Sequence, residues 1–234
     1  FSHPGLYRVS FQRQYYLMPE KNKTTNKHLI EEKLNSITHS IGAGMSIAGL
    51  VFLLILTGMN SGGASRYVSF SLYGAFQILL YLSSSLTHLF TDYPKIHSPL
   101  RVIDQAAVYL LIAGTYTPIS LIALPDPWRW RVFGTIWALA FAGILLKSVF
   151  LRGKNIASDL LYLPMGWLII AAFKPLKAAS PPGLIFWTML GGGLYTGGIV
   201  FYLWKKLPFS HVLWHLFVLA GGISFYLGFA IFLT

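Results

Sequence analysis

Long uninterrupted apolar runs dominate this chain, and they leave few folds open to it. A helix needs roughly 20 consecutive apolar residues to cross the hydrocarbon core of a bilayer, and about seven runs approach that length. They are Thr38 to Thr57, Tyr67 to Phe90, Ile103 to Leu124, Val132 to Leu151, Ile156 to Phe173, Gly183 to Trp204, and Phe209 to Phe232. The fifth is the shortest and carries Asp159 and Pro164 near its beginning. Continuous runs argue against a membrane barrel, whose strands alternate with period two. Only 11% of the residues are charged and 55% are hydrophobic, with a mean hydropathy of +0.59, outside the balance of a soluble domain. The expected fold is therefore all-α, a seven-transmembrane helix bundle, in an integral membrane protein.

The connections Gly58 to Arg66, Thr91 to Val102, Pro125 to Arg131, Lys174 to Pro182 and Lys205 to Pro208 are short and rich in Gly, Pro and charge. They leave no room for a second domain, so residues 31–234 are expected to form one membrane domain. Residues 1–30 differ, mixing polar, basic and aromatic side chains. They lack the apolar core of about 7–15 residues that a secretory signal would need. Without an initiator Met, this polar segment is expected to belong to a longer chain or to be a remnant of expression cloning.

The net charge of +11 comes from 18 Lys and Arg against 7 Asp and Glu. The basic residues are scattered between apolar runs, which disfavours nucleic acid as a partner and suits loops facing anionic lipid headgroups. With the amino terminus in the cytoplasm, the inner side receives Arg8, Arg13, Lys21, Lys23, Lys27, Lys33, Lys95, Arg101, Arg152, Lys154, Lys205 and Lys206. The outer side receives only Arg66, Arg129, Arg131, Lys174 and Lys177. The positive-inside rule then places the amino terminus inside and the carboxyl terminus outside.

Against this apolar background, ionisable residues within the spans stand out, because they are costly there and usually functional. His211 and His215 are one helical turn apart, on one face and about 6 Å from each other, so both imidazoles can reach one ion. In the expected topology His39 begins the first span, His88 ends the second and Asp104 begins the third. All of them fall at the cytoplasmic end, together with His211 and His215. The chain has no cysteine, so any metal must be held by His, Asp or Glu. His88, His211 and His215 supply three nitrogen ligands, the usual protein share of a catalytic zinc site. Asp104 is a candidate fourth ligand, or the group that holds and deprotonates a water at the ion. Ser84, one turn before His88, is placed to hydrogen-bond the water or a ligand. Glu31, Asn35 and His39 are spaced by four and share a face leading into the first span. With Thr38 they read either as a polar gate below the ion or as capping and interfacial residues. His3, His28 and His97 are expected in solvated or interfacial segments. Gly191, Gly192, Gly193, Gly197 and Gly198 are expected to permit close helix packing.

Four ordered motifs also carry a family resemblance. Glu31, Glu32, Asn35, Thr38, His39 and Gly42, then Ser83, Ser84 and His88, resemble the first two motifs of the bacterial haemolysin III proteins, within the progestin and adipoQ receptor family. Arg101, Asp104, Tyr109 and the run Ala113, Gly114, Thr115, Tyr116, Thr117, Pro118 resemble the third-helix motif. His211, Trp214 and His215 resemble the last. Thr87 departs from the pattern, in which Tyr often precedes that histidine. The resemblance spans about residues 31 to 234. It implies seven helices with a cytoplasmic amino terminus in the cell membrane, the inner membrane for a bacterial member. It also implies a zinc ion held by His88, His211 and His215, with Asp104 and Ser84 beside it. Relatives associated with ceramide hydrolysis make a zinc-dependent lipid amide or ester hydrolase, acting on membrane lipids, the leading expectation. A membrane-state sensor with structural zinc is the alternative, and a cytolytic haemolysin a third.

Overall fold

The computed structural model describes residues 26–147 and 161–234, and every regular element among them is helical. His3, Arg8, Arg13, Lys21 and Lys23 lie outside the described residues. So do Arg152, Lys154, Asp159, the end of the fourth apolar run and the start of the fifth. In order, the elements are α1 (Asn26–Met59), α2 (Ala64–Leu89), α3 (Pro94–Pro118), α4 (Trp128–Leu145), α5 (Tyr162–Gly166), α6 (Phe173–Ala179), α7 (Pro182–Leu203) and α8 (Ser210–Phe232). A π-helical turn, Ile119–Ala123, prolongs α3, and a 3₁₀ turn, Leu168–Ala172, joins α5 to α6. The chain contacts fall into two units, Phe1–Ile30 and Glu31–Thr234. The first is described only over its last residues, which open α1.

Among the described residues, four helices are long and apolar enough to cross a membrane: Lys27–Met59, Pro94–Ala123, Pro182–Leu203 and Ser210–Phe232. At 1.5 Å per residue, the 34 residues of α1 extend about 50 Å, well beyond a hydrocarbon core of about 30 Å. Its outer face presents Ile37, Ile41, Met45, Val51, Phe52 and Ile55, each about half exposed, as a lipid-facing helix should. Hydroxyls in the spans are mostly satisfied within their own helix. Thr57, Thr87, Thr115, Thr117 and Ser224 each donate to the carbonyl four residues earlier, so they need no partner from elsewhere.

Side-chain neighbours give the direction of each helix. Ser36 meets Ser85, Gly42 meets Tyr81 and Gly74 meets Leu50, so α1 and α2 run antiparallel. Gly42 also meets Leu219 and Gly49 meets Tyr226, seven residues on in both helices, so α1 and α8 run parallel. Gly114 packs on Phe76, and Asp104 lies within hydrogen-bonding reach of Ser84, which makes α3 antiparallel to α2. The Trp137 indole donates to Thr117 Oγ1, and Gly143 abuts Tyr109, reversing α4 against α3. Next to α3, the Tyr162 hydroxyl donates to Gln105 O. Tyr116 donates from its hydroxyl to Gly166 O and accepts from Ile169 N. The stretch from α5 to α6 therefore follows the direction of α3. Finally α7 runs antiparallel to α8, Gly191 against Phe225 and Gly198 against Trp214 and Phe217.

The central core is large and aromatic. Tyr73, Tyr109, Phe70 and Phe229 are fully buried, with Leu53, Ile119, Ile136 and Leu184 among them. At the end remote from the histidines, the Arg66 guanidinium donates to Leu233 O at 2.8 Å. It thereby caps carbonyls at the carboxyl end of α8.

Only some of the α7 glycines do the packing expected of them. A methyl group at Gly191 would sit 2.6 Å from the Phe225 ring, and one at Gly198 2.8 Å from Phe217 and Trp214. At Gly197 the distance would be an ordinary 3.4 Å, and at Gly192 and Gly193 there is open space. Gly191→Leu is therefore expected to destabilise the bundle by about 1–3 kcal/mol or more through overpacking. Gly193→Leu, on the exposed side, should leave the melting temperature of the detergent-solubilised protein nearly unchanged. Equal melting of the two variants would refute this assignment of faces.

Candidate metal centre

The helix directions bring the start of α1, the end of α2 and the starts of α3 and α8 to the same end of the bundle. There one ligand atom from each of His88, His211 and His215 lies within 4.8 Å of the others. Ring centroids are 5.0 Å apart for His88 and His211, 5.0 Å for His88 and His215, and 4.6 Å for His211 and His215. His215 is buried, and His88 and His211 are half-buried.

Helix α1 contributes no member of this triad but holds two of them in place. Glu32 Oε2 lies 2.8 Å from His88 Nδ1. The Asn35 carbonyl lies 3.2 Å from His215 Nδ1, with Thr38 Oγ1 at 3.4 Å. A carbonyl can only accept, so the His215 bond needs the proton on Nδ1, and a carboxylate favours the same tautomer in His88. Both rings are then left with Nε2 as a lone-pair donor. Such oxygen partners behind imidazole ligands are the usual second layer of a metal site. The residues thus fit a divalent ion: three neutral nitrogens from two helices, two of them orientated from behind.

Around the triad the other residues singled out in the sequence take distinct places. Asp104 lies close enough to His88 and Arg101 to interact electrostatically, and within hydrogen-bonding reach of buried Ser84. Asn35 and His39 are buried on the inner face of α1, and the half-buried Thr38 hydroxyl donates to Asn35 O at 3.0 Å. His39 stacks on His215 with centroids 3.6 Å apart and an angle of 12°, and meets the Tyr81 ring edge-on at 5.1 Å. Glu31 is half-buried, and the carboxylate that reaches the cluster is Glu32, one position later. Glu32 was the group that spacing alone missed: the i, i+4 pattern with Asn35 and His39 pointed to Glu31. Its signal was the adjacent acid in the same motif. On the outer side Tyr202 lies 6.1 Å from His211, and the Lys205 ammonium sits 4.3 Å over its ring.

Because Glu32 acts through His88, Glu32→Gln is expected to keep the fold and weaken metal binding about 10–100-fold. Competition with a chromogenic chelator measures this directly. Unaltered affinity would mean that the 2.8 Å contact orients nothing that matters to the ion.

Comparison with known proteins gives the family of the chain. The family described as "Haemolysin-III related" matches residues 27–226. "Hemolysin-3" of Bacillus cereus is 47% identical over 206 residues, covering 88% of this chain and 93% of that protein. "Hemolysin-3 homolog" of Bacillus subtilis (strain 168) is 44% identical over 196 residues, covering 84% and 91%. More distantly, the human "Monocyte to macrophage differentiation factor" is 24% identical over 208 residues, covering 84% and 82%. Helices, histidine cluster and sequence matches converge: the chain belongs to the haemolysin-III related family of membrane proteins, within the wider progestin and adipoQ receptor family.

Proposed function

We propose that this protein is a seven-span, zinc-dependent hydrolase of an amide or ester bond in a membrane lipid, with its site at the cytoplasmic end. The single observation that carries the reading is the three-histidine cluster with Asp104 and Ser84 beside it, inside a bundle of apolar helices. Zinc is favoured because three imidazoles without any thiolate suit it, and His88, His211 and His215 would hold it with the number of protein ligands usual for a catalytic zinc.

Helix direction supports the count of spans. Parallel α1 and α8 require an odd number of crossings. The α5–α6 stretch, running with α3, supplies the reversal needed between α4 and α7. Basic residues near the histidine end, among them Lys33, Arg101 and Lys205, support a cytoplasmic placement of that end in a bacterial inner membrane.

When bound, the ion supplies a Lewis acid that polarises a carbonyl and acidifies water. The protein's own part is positional and protolytic. His88 and His215 present Nε2 because Glu32 and the Asn35 carbonyl occupy their other nitrogens. The Asp104 carboxylate accepts the proton of the attacking water and returns it to the leaving group. Ser84 donates its one hydroxyl proton to the Asp104 carboxylate and so orients it; once Asp104 has taken up the proton of the water, that hydroxyl is released to turn toward the charge developing on the carbonyl oxygen.

A sensor with structural metal is the second reading, favoured by the bracing of two ligand histidines from α1, which would let metal occupancy tighten helix packing. A cytolytic role, suggested by the names of the Bacillus relatives, has less support, since aromatic side chains fill the bundle interior. One assay separates enzyme from sensor. Purified protein with zinc is incubated with a total lipid extract, and products are followed by mass spectrometry. Zinc-dependent release of fatty acid supports the hydrolase; stoichiometric zinc with no product from any lipid would refute it in favour of the sensor.

A further inference from the structure

A fourth imidazole, His39, stands at the histidine end, and its geometry differs from that of the other three. The rings of His88, His211 and His215 have centroids 4.6 to 5.0 Å apart and planes inclined at 55°, 68° and 57°. A nitrogen lone pair lies in the plane of its ring, so rings inclined in this way can aim at one point. His39 instead lies nearly parallel to His215, with centroids 3.6 Å apart and planes at 12°. In-plane lone pairs on stacked rings run side by side and do not converge. His39 is therefore no ligand beside His215 in this arrangement.

Hydrogen bonding does not account for His39 either. Among the described residues neither of its ring nitrogens has a partner, although the side chain is buried at 3% exposure. Leaving polar atoms in that state costs stability, above all within a bilayer. A residue kept at such a cost is expected to serve the function of its site.

What His39 does offer is a flat face against a ligand histidine. Helix α1 comes close enough to present it because Gly42, one turn further on, has no side chain; a Cβ there would stand 2.6 Å from Leu219 and 3.0 Å from the Tyr81 ring. Tyr81 in turn packs edge-on against His39, centroids 5.1 Å apart. His215 thus receives two restraints from α1. The Asn35 carbonyl, 3.2 Å from Nδ1, fixes where that nitrogen points. One hydrogen bond still lets the ring tip about the N–H···O axis, which would swing Nε2 away from the other two imidazoles. A ring stacked on its face removes that freedom, since tipping would forfeit contact over the whole face.

We propose that His39 is a positioning residue of the metal centre, whose ring face sets the plane of His215 and so the aim of its Nε2. It acts by contact and not by coordination, and its nitrogens are dispensable for this. The role rests on the metal reading of the three histidines and is independent of whether a lipid is hydrolysed.

Two substitutions separate the face from the nitrogens. His39→Phe and His39→Leu both remove the nitrogens and fill the space with apolar atoms, but only the first keeps a flat ring. Full-chain protein in detergent, stripped of metal and titrated with Co²⁺, reads affinity and geometry together, because the visible bands of cobalt respond to ligand arrangement. His39→Phe is expected to match wild type in affinity and spectrum. His39→Leu should bind about 10–100-fold more weakly, with shifted bands. Both metal-free variants should melt no lower than wild type, since each loses unpaired buried nitrogens. Wild-type affinity and bands in His39→Leu would overturn the role, and equal impairment of both variants would overturn it in favour of the nitrogens. Should His39→Leu not fold, a fall in the affinity of His39→Phe still decides against it. Wild-type protein that binds no cobalt would remove the metal centre and this role with it, whereas cobalt bound alike by all three removes this role alone.

Discussion

Wild-type protein is expected to purify with about one zinc per chain, and His211→Ala protein to purify folded and without it. The argument is geometric. His211 is half-buried in the first turn of α8, so its loss opens no core cavity and leaves the α7–α8 packing at Gly191 and Gly198 intact. It also removes one nitrogen of three, and two imidazoles with water are a poor match for the tetrahedral preference of zinc. The loss in affinity should exceed the 10–100-fold that follows from disturbing an orienting group alone. Elemental analysis after dialysis against a weak chelator, with melting temperature as the control for folding, decides it. Stoichiometric zinc in the folded variant would show that the cluster is a set of packed histidines and nothing more.

Asp104→Asn tests the chemistry rather than the ion. The amide has nearly the shape of the carboxylate and can still pair with Ser84, so zinc content and melting temperature should stay close to wild type. It cannot take a proton from water, however, and turnover of the lipid substrate is expected to fall about 10²–10⁴-fold, the usual worth of a positioned general base. The separation is what matters: the proposed hydrolase should keep its metal and lose its rate. Unchanged fatty acid release would remove Asp104 from the reaction.

Much of the architecture could be read from the apolar runs, because a helix that must bury its own backbone bonds in hydrocarbon advertises itself by length and composition. The margins could not. The stretch from Thr91 was expected to be a loop, yet α3 begins at Pro94. Proline suits a first helical turn, and a helix continuing into the interface needs no apolar residues there. Lys174 to Pro182 was likewise expected to be a connection, and Phe173–Ala179 is helical. In the fifth run Pro164 and Gly166 coincide with a break into short α and 3₁₀ pieces, where hydropathy alone suggested continuity. At the site, an i, i+4 pair such as His211 and His215 is visible in one dimension. Which of Glu31 and Glu32 turns toward His88 is not, since neighbours on a helix point about 100° apart and only the packing of α1 on α2 selects between them.

The brace that α1 provides has a consequence for biogenesis. Glu32 precedes the imidazole it steadies by 56 residues, and Asn35 precedes its own by 180. During synthesis the orienting groups therefore leave the ribosome first and wait through nearly the entire chain for the last helix to be inserted. An ion at the three histidines could not be captured in full coordination before that moment, so its loading would be a checkpoint on completed assembly, and a prematurely terminated product would lack the site.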